Sequence, residues 1–170
     1  MIGRILVDYA VFIDGRGYLG DAAQIKLPVI EVKSEEYLAG GMVAPQSIPL
    51  GHLDKAMEAE FTFHTNVSKL LETFDIHPGA DTAFLIRGSM VDAKDGKQVA
   101  RVVEMRGALR SYDEDALEAS KKLQTKFKAS LSYYKDMVDG VTHFEIDTQN
   151  YVMVVGGKDL LAERRKNLGL

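Results

Sequence analysis

The stretch from Lys121 to Asp147, KKLQTKFKASLSYYKDMVDGVTHFEID, has the pattern of two extended arms joined at one turn. In the first arm every second position from Leu123 is mainly apolar, and the positions between carry polar side chains. A period of two over so many residues predicts a half-buried strand rather than a helix. Asp139-Gly140 suits a type I′ turn, because both central residues of that turn need a positive φ. The predicted faces of the first arm are Leu123, Thr125, Phe127, Ala129, Leu131, Tyr133 and Met137 on one side, and Lys122, Gln124, Lys126, Lys128, Ser130, Ser132, Tyr134 and Asp136 on the other.

The first arm is long for a strand in a small protein. An extended chain from Lys121 to Met137 would span roughly 55 Å at about 3.3 Å per residue, whereas ordinary strands have about 5–6 residues. We therefore expect part of the arm to bend or to project. A projecting strand exposes unpaired backbone donors and acceptors, which a solitary protein usually hides. The length thus suggests that another chain pairs with this arm.

The composition is that of a globular chain without thiol chemistry. The 170 residues, 46% of them hydrophobic, suit one domain with its own core over 1–170. The formal net charge of −4 argues against a dedicated nucleic-acid binder, which would need cationic contacts to phosphate. With no cysteine, the chain has neither disulfides nor thiolates. The apolar run at Ile5–Val7 is too short for a signal peptide, and no apolar segment approaches the roughly 20 residues of a spanning helix, so no membrane partner is expected.

Elsewhere the pattern predicts shorter strands and a second long hairpin. Strands are expected at Tyr9–Asp14, at Gln24–Lys33 and at Ala56–Phe63. Pro28 cannot donate to a ladder, so it should mark an edge or a bulge. The second hairpin is expected from Asp81–Val91 and Val99–Tyr112, turning at Lys94–Lys97, and a loop or short strand is expected at Asn150–Gly157.

Two helices and one long loop complete the prediction. Asn66 is a candidate N-cap for an internal helix, which Pro78-Gly79 would end, and Lys158–Asn167 should form a short C-terminal helix. Glu35–Lys55 contains several glycines and prolines and is predicted to be irregular. Loops longer than about 12–15 residues usually have a function. The apolar residues of this one suggest that it is covered rather than free in solvent.

Motifs that could carry chemistry are weak in this sequence. Gly15–Gly20 matches G-x-G-x-x-G, but only eight residues follow before Pro28, which leaves no room for the helix of a dinucleotide site. Asp92–Lys97 lacks the later acidic ligands of a calcium loop and is better read as a hairpin tip. His52, His64, His77 and His143 show no metal-ligand spacing, and no nucleophile elbow is present. We therefore predict no catalytic residues, no metal and no cofactor.

An ordered set of short motifs resembles a known family. The motifs are Leu131–Lys135, Val138–Gly140, Phe144–Asp147 with Asn150, Val11–Gly15, Lys26–Pro28, Glu36–Met42, Arg106–Gly107 and the closing Gly156–Leu170. Their order and spread over the whole chain resemble the major tail tube proteins of contractile-tailed phages and R-type pyocins. The segments around Asn66–Pro78 and Asp113–Ser120 depart from that family in length and composition.

The resemblance implies a mainly β fold: a β-barrel-like sandwich with long hairpins, one internal helix and a short C-terminal helix. It also implies six-membered rings that stack into a hollow conduit for DNA during genome ejection. The implied partners are further copies of the chain, the tail sheath, baseplate and terminator proteins, a tape measure protein in the lumen, and DNA in transit without specific binding. The implied place is the virion tail, after assembly in the host cytoplasm.

Two sets of residues are predicted to contact neighbouring subunits. The set for ring stacking is Ala39, Gly40, Gly41, Met42, Val43, Ile48, Leu50, Arg164, Arg165, Asn167, Leu168 and Leu170. The set for a sheet shared between subunits is Leu123, Phe127, Leu131, Tyr133, Arg87 and Arg106. Two alternatives remain open at this point: the tube of a pyocin-like or type VI-like injection machine without a genome, and a small ligand-binding β-barrel.

Overall fold

The computed structural model describes residues 3–18, 21–64, 68–75 and 77–170. Within these ranges the chain forms twelve strands and two short helices. The strands are β1 Arg4–Ile13, β2 Arg16–Gly17, β3 Ala22–Lys26, β4 Val32–Tyr37, β5 Gln46–Leu53, β6 Met57–Phe63, β7 Thr82–Asp92, β8 Gln98–Glu114, β9 Thr125–Val138, β10 Val141–Asp147, β11 Val152–Val155 and β12 Lys158–Asp159, and the helices are α1 Ser68–Leu71 and α2 Ala162–Leu168.

The main sheet is antiparallel and folds over onto itself. Its strands follow the order β12-β11-β10-β9-β8-β7-β1-β2, and β6 leaves this path because it pairs with both β9 and β3. Phe61 of β6 stacks on Phe84 of β7, with ring centroids 5.0 Å apart, so the two layers face each other across one core. The structure confirms a mainly β, sandwich-like fold with the two predicted long hairpins.

Strand β9 belongs to both layers. On one side it pairs with β8 along its whole length. On the other side β6 pairs with residues 125–131 and β10 with residues 133–138. The arm therefore bends, as its length predicted, and it begins at Thr125 rather than at Lys121. The inference that another chain pairs with this arm is wrong, because this chain supplies its partners on both sides.

A bulge near the middle of β9 reverses which side chains face the core. The register between β8 and β9 shifts from Arg106 opposite Tyr133 to Gly107 opposite Leu131, so Ser132 is the extra residue. A one-residue shift moves the following side chains to the other face. Tyr134 is therefore buried, together with Asp136, although both were predicted on the polar face.

Gly107 makes the close approach at this bulge. A Cβ on Gly107 would lie 2.0 Å from the backbone oxygen of Ser130, which no side chain can tolerate without a backbone shift. Asp136 is accommodated in the core because Arg101 donates two hydrogen bonds to it, of 3.1 Å and 2.7 Å. Burial, with Asp136 beside it, raises the pKa of Tyr134 to about 12.

The core is aromatic where the layers meet. Phe63 contacts Phe127 edge-on with centroids 5.9 Å apart, and Tyr18 contacts Phe63 at 5.8 Å. Offset and edge-on pairs of this kind are favoured by the charge distribution of aromatic rings. The largest fully buried apolar side chains are Phe61, Phe63, Phe84, Phe127, Ile13, Met57, Leu70, Met105, Leu109 and Val11.

The short elements differ from the predictions in their limits. β1 begins at Arg4, five residues before the predicted Tyr9. β3 ends at Lys26, so Pro28 follows the strand instead of marking a bulge within it. Strand β12, paired with Val154 and Val155, occupies the predicted start of the C-terminal helix, so α2 is shorter than expected.

The two turns that resembled ligand loops are hairpin turns. Asp14 and Gly15, with φ of 47° and 76°, connect β1 to β2, and β3 starts at Ala22, where a dinucleotide site would need a helix. At the other turn, Asp92 accepts a 2.8 Å backbone hydrogen bond from Gly96.

The internal helix is short. Its predicted cap, Asn66, and the neighbouring Val67 lie outside the described residues. Leu70 of α1 is fully buried against the core. In the part of the chain that the structure describes, neither helix has the length or apolar character to cross a membrane.

Candidate assembly surfaces

Strands β4 and β5 form a separate two-stranded sheet, called the ribbon below (residues 32–53). The prediction of an irregular Glu35–Lys55 loop is wrong, since Tyr37 pairs with Gln46 and four further pairs extend the ladder to Val32. The glycines and prolines of this segment fit a hairpin because of where they lie in it. Gly40 and Gly41 lie in the turn between the strands, and Pro49 lies on a strand that has a partner on one side only within the described residues.

The ribbon carries apolar side chains that its own chain leaves uncovered. Every residue of β4 is exposed. In the turn, Leu38 is 63% exposed and Val43 is completely exposed. No charged residue occurs from Leu38 to Gln46. Clustered exposed apolar side chains on a soluble surface mark a contact with another molecule.

The predicted stacking residues in the ribbon divide into exposed and supporting ones. Ala39 and Met42 are half-buried, and Met42 donates its backbone N–H to the Ala39 carbonyl at 3.1 Å, which closes the turn. Leu50 is half-buried at the base of the ribbon. The exposed members are Gly40, Gly41, Val43 and Ile48.

The base of the ribbon is attached to the C-terminal helix. Arg164 of α2 donates to the Leu50 carbonyl at 3.0 Å and to the Gly51 carbonyl at 3.4 Å. His52 lies beside Tyr151, with ring centroids 6.4 Å apart. The structure therefore brings together Leu50 and Arg164, which the sequence placed in one predicted set without a contact between them.

The neighbouring Arg165 holds α2 on the main sheet. It donates to the Tyr151 carbonyl at 2.9 Å and forms an ion pair with Asp159. The hydrogen bond from Arg165 lowers the pKa of the Asp159 carboxyl and raises the pKa of the guanidinium. Beyond these contacts, Asn167, Leu168 and Leu170 are exposed, and Gly169 ends the helix with a φ of 74°.

The free strand edges lie elsewhere than predicted. β7, β8 and β9 have partners on both sides within this chain. On the side away from β7, β1 pairs only at Phe12 and Ile13 among the described residues. Along the rest of β1, Ile5 and Val7 are 60% and 65% exposed. Sequence reasoning missed this edge, although its Ile-Leu-Val run, apolar on both faces, was a signal for a strand that needs cover.

The residues predicted for a sheet shared between subunits do not lie on one surface. Phe127 is fully buried and Leu131 is buried, so their side chains serve the core of this chain and are closed to a neighbour. Leu123 is half-buried and precedes β9. Arg87 and Arg106 are exposed on the outer face of the sheet.

The outer face of the sheet holds an open cleft of about 580 Å³ lined in part by Arg106, Tyr133 and Asp147. Tyr133 donates its hydroxyl to Glu145 at 3.0 Å, and burial together with this bond raises the pKa of Tyr133. Partial burial opposes ionisation of Asp147, but hydrogen bonds from Asn150 and Gln149 lower the pKa of its carboxyl. The Asp147 carboxylate therefore accepts hydrogen bonds within a local turn.

The described ranges contain no group of side chains suited to a metal ion. No three histidine, aspartate or glutamate side chains there are grouped so that they could hold a metal ion. The four histidines, His52, His64, His77 and His143, are all exposed.

Comparison with known proteins gives a consistent result. Residues 3–169 match the family model for phage tail tube protein FII. The chain is 29% identical over 161 residues to the tail tube protein of Escherichia phage P2, covering 94% of each protein. It is 26% identical over 156 residues to the major tail tube protein of Serratia phage KSP20, covering 92% of this chain and 90% of that protein.

A solved structure shares the fold. The sheath/tube terminator of an extracellular contractile injection system superposes with a TM-score of 0.55 at 10% identity, covering 77% of this chain and 94% of that chain. At this identity the similarity shows the fold alone. The family model, in contrast, spans nearly the whole sequence. The chain belongs to the phage tail tube protein FII family and is a structural component of a contractile phage tail, not an enzyme.

Proposed function

We propose that this chain, acting as one domain, forms six-membered rings that stack head to tail into a hollow tube for DNA during genome ejection. The observation that carries the proposal is the ribbon: a well-paired hairpin whose apolar, uncharged turn is left exposed by a chain with a complete core. A head-to-tail contact that does not close on itself generates a filament.

Within a ring, the free edge of β1 is the contact that the structure favours. Among the described residues, β1 has no partner strand from Arg4 to Ala10 on the side away from β7, whereas the Val11 carbonyl accepts a 2.8 Å hydrogen bond from the Tyr18 N–H. β3 likewise has a partner strand on one side only. If the free edges of neighbouring copies paired with each other, no strand edge would stay open, as in a closed β-barrel. Arg87, which pairs with Ala10 of β1, is a proposed neighbour of this contact. Arg106, Leu123 and Tyr133 remain proposed contacts with a neighbouring subunit away from the β1 edge.

Between rings, the ribbon and the end of α2 supply the proposed contact. The ribbon contributes Ala39–Val43, Ile48 and Leu50, and α2 contributes Asn167, Leu168 and Leu170. Arg164 and Arg165 support this surface without forming part of it, because their guanidinium groups are hydrogen-bonded within the chain.

Other tail proteins complete the proposal. The tube would lie inside a sheath and end at baseplate and terminator proteins, with a tape measure protein in its lumen before ejection. Assembly would take place in the host cytoplasm. The net charge of −4 supports a wall that lets DNA pass, because a cationic wall would bind phosphate.

Electron microscopy of the purified protein tests the proposal. Tyr37 and Gln46 are directly paired, so a two-residue Asn-Gly turn can replace residues 38–45 without disturbing the ladder. We expect tubes from the natural chain and none from the shortened one, although both remain folded by circular dichroism. Tubes of normal length from the shortened chain would refute the stacking role, and a dispersed monomer from the natural chain at high concentration would refute the tube.

A further inference from the structure

The base of the ribbon is loosely packed against the rest of the molecule. An open cleft of about 480 Å³ is lined by Val29, Glu31 and Lys55 among others, next to the ends of the ribbon strands. A second cleft of about 240 Å³ lies between Gly51–Leu53 and the β10–β11 turn. Leu53 packs against the core and His52 lies beside Tyr151, but the two clefts leave other space beside the base unfilled. Packing alone therefore restrains the direction of the ribbon only in part.

Two adjacent arginines connect the ribbon to the main sheet through α2. Arg165 bonds α2 to the main sheet through Tyr151 and Asp159. Arg164, the preceding residue, bonds α2 to the ribbon through the carbonyls of Leu50 and Gly51. The two side chains connect sheet, helix and ribbon in series.

Gly51 is matched to this contact. Its φ of +73° is one that side-chain-bearing residues rarely adopt. A Cβ at this position would lie 2.9 Å from one guanidinium nitrogen of Arg164 and 3.1 Å from the other. The guanidinium therefore occupies the space that the missing side chain leaves.

We propose that Arg164 is a positioning residue that sets the direction in which the ribbon leaves the body of the protein. It does so through the two carbonyl groups at the ribbon base, with α2 as a fixed support. A planar fork with several donors suits this task, because it restrains an orientation as well as a distance. The consequence for assembly rests on the proposed function. A ribbon whose direction is already fixed loses less conformational entropy when it binds a neighbouring copy, so assembly is favoured.

Spin labels test the inference on the unassembled protein. The chain has no cysteine, so cysteines at Val43 in the ribbon turn and at Lys94 in the exposed β7–β8 turn take labels without background. Unlabelled protein in large excess suppresses distances between molecules. We expect a narrow distance distribution for the natural chain and one about twofold broader for Arg164→Ala. Arg164→Lys, which keeps the charge but not the fork, should give an intermediate width.

Two controls separate positioning from general destabilisation. Lys166→Ala removes an exposed cation from the same helix and should leave the distribution narrow. Gly51→Ala should broaden it, and adding Arg164→Ala to that variant should change it little, because the contact is already lost. The inference would be overturned if Arg164→Ala and the natural chain gave distance distributions of equal width. It would also be overturned if Lys166→Ala broadened the distribution as much as Arg164→Ala does. The third contradicting result is that Arg164→Ala broadens the distribution as much in the Gly51→Ala variant as in the natural chain.

Assembly is read separately. Arg164→Ala should form tubes several times more slowly than Lys166→Ala at the same concentration. If the natural chain forms no tubes, the proposed function fails, while the label distances still decide whether Arg164 positions the ribbon.

Discussion

Strand β9 and the ribbon are both well-paired antiparallel β-structure, yet they differ in what covers their side chains. β9 has three partner strands and places Phe127 in the centre of the core. The ribbon strands have only each other among the described residues, and they leave Val43 fully exposed. The contrast teaches that the chain itself completes the pairing of β9 and the core but not the cover of its ribbon.

Gly107→Ala should be the most damaging single change. The added Cβ would meet the Ser130 carbonyl at 2.0 Å, so β8 and β9 would have to separate at the bulge. We expect the free energy of unfolding to fall by about 4 kcal/mol or more, which leaves the protein largely insoluble. Gly40→Ala in the ribbon is the matched control, since nothing lies within 4 Å of its added Cβ. Equal soluble yields and urea midpoints for the two variants would contradict the account of the bulge.

Phe127→Ala and Val43→Ala should fail in opposite assays. Truncation of the fully buried Phe127 should cost about 3–5 kcal/mol of unfolding free energy through lost burial and a cavity. Truncation of the exposed Val43 should change that free energy by less than about 0.5 kcal/mol. Val43→Ala should nevertheless reduce the tube yield at limiting concentration, seen by sedimentation and microscopy. A stability loss at Val43 similar to that at Phe127 would show that the ribbon packs on its own chain.

Asp136→Asn tests the polar group that the bulge brings inside. The Arg101 side chain is 32% exposed and that of Asp136 11%, so the pair is only partly desolvated. We expect a loss of about 1–2 kcal/mol, below the cost of breaking a fully buried pair. Glu72→Gln at the exposed Arg16–Glu72 pair, whose nearest charged atoms are 3.6 Å apart, should have no measurable effect. Chemical denaturation of both variants distinguishes the two sites, and an unchanged midpoint for Asp136→Asn would remove the ion pair from the account.

Lowering the pH should produce the smallest change in stability. The pKa values of Asp147 and Asp159 are lowered in the folded chain from an ordinary value of 3.8. Because the folded pKa is depressed, the stabilisation is complete above the unfolded value and is lost as the pH falls through the folded values. The thermal midpoint should therefore fall below about pH 4, and Asp159→Asn should flatten part of that dependence. A variant with the same pH profile as the natural chain would show that the Asp159–Arg165 pair contributes nothing.

The sequence was informative where a strand has one buried face and a strong turn. The Asp139-Gly140 hairpin, the β7–β8 hairpin and the alternation of Met57–Phe63 could all be predicted, because a period of two and a turn residue specify them locally. The bulge at Ser132 could not, since it depends on how closely Gly107 approaches the neighbouring strand. For the same reason Tyr134 and Asp136 were placed on the wrong face.

The candidate surfaces were predictable only in part. The apolar residues of Glu35–Lys55 predicted that this segment is covered, but its glycines and prolines concealed the hairpin. The cationic end of α2 was visible, whereas the direction of each guanidinium depends on tertiary contacts that no local pattern encodes. The free β1 edge was missed, because pairing partners far apart in sequence decide which edge stays open.

Hydrogen exchange on assembled and unassembled protein decides whether neighbouring copies cover the ribbon or β9. We expect assembly to slow exchange of the exposed ribbon turn and of the free β1 edge, while the middle of β9 stays equally protected in both states. Unchanged exchange at the ribbon and β1, together with new protection along β9, would show that β9 and not the ribbon is completed by neighbouring copies.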